Sequence, residues 1–114
     1  MKLGEAYLVS TSGFLEIDEE ERATMMEIAL RAVGSKGKNK YDELIPDFII
    51  FDPSPDAKKG YEDDERSLRI PIKTIPEKVY AKLDNYGSAE ILSEQVGHKV
   101  NTKYVLTFML AQEY

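Results

Sequence analysis

The side chains able to do chemistry fall into a few short clusters. The densest is the segment Asp52–Arg66 (DPSPDAKKGYEDDER), rich in carboxylates. Asp52, Ser54, Asp56 and Asp63 match positions 1, 3, 5 and 12 of a calcium loop, but Ala57 replaces the turn glycine and Asp63 the bidentate glutamate. Two prolines, Pro53 and Pro55, lie inside it. The pattern therefore reads as a solvated loop or a protein-contact loop, with Tyr61 as an aromatic anchor among Asp56, Glu62, Asp63, Asp64 and Glu65. No metal and no cofactor is expected.

A second acidic cluster, Asp18, Glu19 and Glu20, precedes an apolar run. Together with Glu62–Glu65 it can imitate phosphate spacing toward a basic partner. The lysines Lys36, Lys38 and Lys40 sit among Gly34 and Gly37, but they lack phosphate-loop spacing and follow a helix rather than leading into one. Lysines just past a helix carboxy end complement its dipole. His98 is the sole histidine and there is no cysteine. Thiol chemistry, Cys-based zinc sites and disulfides are thereby excluded, and a lone histidine makes neither a metal site nor a convincing triad. Ser10, Thr11 and Ser12 offer hydroxyls without an identifiable base.

A third pattern joins tyrosines to cations. Tyr80 lies between Lys78 and Lys82, Tyr104 follows Lys103, and Arg69 and Lys73 flank the preceding strand. Aromatic residues on a sheet ringed by basic ones can hold single-stranded nucleic acid. The overall balance opposes this: 15 Lys and Arg face 21 Asp and Glu, a formal net charge of −6. The deficit is local. Residues 1–57 hold 12 acidic against 6 basic side chains, whereas residues 58–114 hold 9 of each.

These groups need elements to position them. The 114 residues suit one domain, 1–114, large enough to build a core without disulfides. Glu5–Thr11 reads as a strand, and Phe14–Ile17 as a short second strand closing a hairpin at Ser12-Gly13. Asp18–Val33 reads as an amphipathic helix. Asp18 is its N-cap and Glu21 the capping-box partner, Met25, Met26, Ala29, Leu30 and Val33 form its apolar stripe, and Gly34 ends it. Pro46–Asp52 is a buried strand. Ser67–Ile75 alternates as a half-buried strand, and Pro71 marks it as a sheet edge or bulge.

Residues 76–96 admit two readings. One is a pair of helices, the second over Ser88–Val96 and stopped by Gly97. The other, favoured by Val79, Tyr80 and Ile91, is a hairpin turning at Asp84–Gly87. Lys99–Gln112 is a strand apolar on both faces near its end, so it belongs at the centre of the sheet.

The expected class is α+β: one helix over about 18–33 on a mostly antiparallel sheet with a C-terminal β-meander, a small barrel being the variant. No export signal or membrane-spanning run is read, so the expected compartment is the cytoplasm. The functional expectation is a non-enzymatic acidic binding protein, an inhibitor or accessory factor for a basic partner, acting through Asp18–Glu20 and the 52–66 loop. The alternatives are a single-stranded nucleic-acid binder using Arg69, Lys73, Tyr80, Lys82 and Tyr104, and a homo-oligomer or structural subunit formed through the sheet edge at Leu68–Ile72.

Overall fold

The computed structural model describes residues 1–62 and 65–114. Asp63 and Asp64, two of the expected contact residues, lie outside the described residues. Elements follow in the order β1 (Tyr7–Ser10), α1 (Ser12–Leu15), α2 (Glu19–Ala32), β2 (Phe48–Asp52), β3 (Gly60–Tyr61), β4 (Ser67–Pro71), β5 (Val79–Asn85), α3 (Ala89–Val96) and β6 (Tyr104–Leu110). A 3-10 turn, Ala111–Glu113, closes the series. The fold is α+β, with a six-stranded sheet in the order β1-β6-β5-β2-β4-β3.

The sheet is mixed and open. β1 pairs parallel with β6, and β2 parallel with β4. The β2–β5, β3–β4 and β5–β6 pairs are antiparallel. The barrel variant is therefore corrected: β1 and β3 are two separate edges. β6 lies between β1 and β5, the central place its doubly apolar sequence demands.

α2 forms where its pattern requires. Asp18 accepts from the Glu20 main-chain nitrogen at 3.1 Å, three glutamates occupy the first turn, and Met25, Ala29 and Leu30 are buried. The capping box does not close: no bond joins Asp18 N to Glu21 among the described residues, and one Glu21 carboxylate oxygen is buried and unpartnered there. The apolar face of α2 packs on one sheet face, whose core residues include Ile49, Phe51, Val79, Ala81, Leu83, Leu106, Phe108 and Leu110.

Two expected strands are helices. Phe14–Ile17 is not a strand, since Ser12–Leu15 forms the single turn α1. Glu113 dictates this: its carboxylate accepts from Thr11 Oγ1 (2.6 Å), Gly13 N (3.1 Å) and Leu110 N (2.9 Å). Phe14 is thereby turned inward and stacks on Phe108 at 5.2 Å between ring centroids. A Cβ at Gly13 would lie 2.6 Å from Glu113 Oε1, so a side chain there would push the carboxylate out of this clasp. The hairpin reading of 76–96 is right in its first half, β5, and wrong in its return, where the helical reading over Ser88–Val96 holds. Ser88 caps α3 by accepting from Ile91 N at 3.1 Å, and Gly97 ends it at φ 82°. With α3 as the return, β6 rather than residues 89–93 becomes the strand beside β5.

The described part of the 52–66 segment contains a strand. β3 lies within it and covers the outer side of β4 at Leu68 and Arg69, so β4 is paired on both sides and is not the sheet edge expected from Pro71. β4 stops at Pro71, opposite Asp52.

Candidate functional site

The two sheet faces have different chemistry. Alternation along β2, β5 and β6 puts one residue set under α2 and the other on the opposite face. In the observed register that second set includes Phe48, Ile50, Tyr80, Lys82, Asp84, Thr107 and Met109, with Arg69 beside Ile50 and Val9 beside Thr107. Phe48 and Tyr80 meet at 4.9 Å, and Tyr114 folds against both at 5.5 and 5.7 Å. These rings touch one another and leave no slot between them.

The tyrosine–cation pattern is thus only partly assembled. Tyr80 and Lys82 share the face away from α2. Tyr104 pairs with Asn85, on the parity of Leu83 and Leu106, and packs against the core on the α2 side. The two tyrosines therefore lie on opposite faces. The cations are also engaged. Arg69 pairs with Asp52 and with Glu62 (2.7 Å), Lys82 with Asp84 (3.4 Å), and Lys73 donates to the carbonyls of Ser54 and Pro55.

The same pairings reorganise the acidic residues. Asp52 is 4% exposed, and its carboxylate accepts from Ser54 N at 2.8 Å. Hydrogen bonding from Ser54 holds this carboxyl below the usual aspartate range, and the charges of Arg69 and Lys78 add to the effect. Asp52 is thus a structural ion-pair partner in this fold, not a free calcium ligand. Glu62 belongs to Arg69, and Glu65 to Lys36 at 3.0 Å. Tyr61 lies under the Lys36 ammonium at 4.1 Å, so the expected anchor is held by an internal cation–π contact. Lys38 pairs with Asp42, and Lys40 sits over Tyr41. Among the described residues, no three His, Cys, Asp or Glu side chains converge as a metal site.

Different carboxylates remain uncompensated. Glu16, Asp18, Glu19 and Glu20 are exposed, and none forms an ion pair among the described residues. Leu15, 52% exposed, stands at their head where α1 ends. Sequence reasoning missed Glu16 and Leu15 because it placed both in a strand. The exposed Asp56 forms no ion pair among the described residues either.

His98 reaches Tyr7 Oη at 3.4 Å and has no carboxylate partner among the described residues. The Thr11 hydroxyl donates a hydrogen bond to Glu113. A polar cleft of about 460 Å³ lies between Glu43, Asp47, Arg66, Asp84 and Tyr104. Arg66 pairs there with Glu43 (3.0 Å) and Asp47 (2.5 Å). The Glu43 carboxyl is held below its usual range first by the Arg66 hydrogen bond and then by that of Asn39. No helix among the described residues is long and apolar enough to cross a membrane. No family model, curated protein or solved structure matches this chain.

Proposed function

We propose that this chain is a non-enzymatic binding protein, an inhibitor or accessory factor that acts by stoichiometric contact with a basic protein. One observation supports the reading: Glu16, Asp18, Glu19 and Glu20, which follow exposed Leu15 in the chain, are exposed and form no ion pair among the described residues, whereas Glu62 and Glu65 are paired with Arg69 and Lys36. A partially exposed leucine next in the chain to uncompensated carboxylates offers an apolar contact and a steering field close together. The contact surface is therefore shifted from the 52–66 loop to the corner between α1 and α2, with Asp18, Glu19 and Glu20 retained from the sequence expectation.

The test compares capture from the native host lysate by the wild-type chain and by a Glu16→Lys, Glu19→Lys, Glu20→Lys variant, at low and high salt. Asp18 is left in place because it caps α2. The expected result is a basic protein retained by the wild type, lost by the variant, and associating more slowly as salt rises. Undiminished capture by the variant, or a rate insensitive to salt, would overturn the reading.

A second reading, single-stranded nucleic-acid binding, is favoured by the shared face of Phe48, Tyr80, Lys82 and Tyr114. Fluorescence anisotropy with a labelled oligonucleotide decides it. Binding that weakens steeply with salt and on Tyr80→Ala supports it, and no binding at low salt removes it.

A further inference from the structure

We propose that Tyr114 is an internal competitor for the aromatic site on the sheet face away from α2, held there by the strap Ala111–Glu113, so that a nucleobase enters by displacing it. This competition rests on the nucleic-acid reading of that face and adds regulation to it. The site is separate from the core. None of Phe48, Tyr80 and Tyr114 belongs to the core cluster under α2. Phe48 and Tyr80 are half-buried, and their rings meet at 4.9 Å and 55°.

Tyr114 occupies this site as a ligand ring would. It meets Phe48 at 5.5 Å and 68°, and Tyr80 at 5.7 Å and 82°, both edge-to-face. The Lys82 ammonium stands 5.9 Å from its ring centroid. Aromatic rings with a cation nearby are also what hold the bases of a single strand. Ring chemistry rather than charge selects this ligand, because Lys82 also pairs with Asp84 at 3.4 Å.

The occupant is exchangeable. Tyr114 is 68% exposed, so its ring leaves the site without opening the core. Its neighbours fix its position. Glu113 accepts from Thr11 Oγ1, Leu110 N and Gly13 N, and Ala111 N donates to Lys78 O at 3.0 Å. Tyr114 N in turn donates to Ala111 O at 3.2 Å, which closes the turn that carries the ring onto the face. A ring tethered in this way meets its site at high effective concentration, so contacts that are individually weak compete with a free ligand. The strap thus has two separable parts, a lock at Glu113 and a plug at Tyr114.

Fluorescence anisotropy of a labelled single-stranded oligothymidine with the full chain at low salt tests the proposal. Tyr114→Ala removes the plug, Glu113→Gln weakens the lock, and Tyr114→Ala combined with Tyr80→Ala removes plug and platform together. Circular dichroism checks that each variant stays folded. Tyr114→Ala is expected to bind roughly five- to tenfold tighter than the wild type, Glu113→Gln to fall between them, and the double variant to lose the gain. The Phe48 and Tyr80 ring-proton resonances should shift in Tyr114→Ala without ligand, which reports the plug directly. Equal binding by wild type and Tyr114→Ala, weaker binding by Tyr114→Ala, or a gain that survives Tyr80→Ala would overturn the competition and leave the nucleic-acid reading standing. So would a Glu113→Gln chain indistinguishable from the wild type, or ring resonances that Tyr114→Ala leaves in place. No binding by any of these chains removes the nucleic-acid reading itself, and the competition with it.

Discussion

Replacing Arg69 with methionine removes the cation that neutralises Asp52 while keeping an unbranched stem in its place. The Asp52 side chain is 6% exposed and that of Arg69 is 24% exposed. Breaking one side of a fully buried pair costs ~3–5 kcal/mol, because the remaining charge stays desolvated and uncompensated. The partial exposure of Arg69, and the Ser54 hydrogen bond that Asp52 keeps, place the expected loss at about 2–3 kcal/mol. That corresponds to a fall in Tm of roughly 8–12 °C for a domain of this size. Urea denaturation at neutral pH measures it directly.

Two controls follow from the chemistry. In an Asp52→Asn background the same Arg69 substitution should cost much less. The wild-type Asp52 carboxyl is depressed, so its contribution is present above the ordinary aspartate value of ~3.9 and is lost as pH falls through the depressed one. The Arg69→Met penalty should therefore shrink in that acid window, as Asp52 protonates in both proteins. A neutral-pH loss below about 0.5 kcal/mol, the size of an ordinary surface substitution, would refute the reasoning. So would an equal loss in the Asp52→Asn background.

Other substitutions probe the remaining joints. Gly13→Ala forces a Cβ to within 2.6 Å of Glu113 and 2.7 Å of Leu110, and should cost about 1–3 kcal/mol in urea midpoint experiments. Hydrogen bonds from Thr11, Leu110 and Gly13 depress the Glu113 carboxyl. The clasp therefore stabilises above the ordinary glutamate value of ~4.3 and releases as pH falls, a pH-dependent component that Glu113→Gln should abolish in denaturation curves. Ser88→Ala should cost about 1 kcal/mol and Ser88→Asp much less, read by thermal denaturation, because α3 depends on this N-cap.

Local chemistry made α2 legible: a cap, a first turn of acids, an apolar stripe and a glycine stop all lie within one stretch of chain. β6 was legible for the same reason, its two apolar faces requiring a central position. α1 was not, because the group that folds it, Glu113, lies 102 residues from Thr11. The return of residues 88–97 carried its signal in Ser88 and Gly97, yet the β-forming residues around them outweighed it in the reading. The site suffered from a different limit. Separating Tyr80 from Tyr104 depends on the parity of the β5–β6 register, which a helix-containing connection leaves open. Which acids remain free depends on pairings such as Glu62 with Arg69 and Glu65 with Lys36, set by tertiary placement alone.

The parallel pairing of β1 with β6 has a kinetic consequence. Val9 meets Thr107, so the first strand of the chain can take its place only after the last has been made and positioned. Closing a loop of that length adds an entropic barrier that no local contact offsets. Until β1 docks, β6 presents an uncovered apolar edge, and Phe14 has no Phe108 to stack on. Docking of β1 is therefore expected late in folding. The period before it is when the nascent chain is most open to wrong strand pairings.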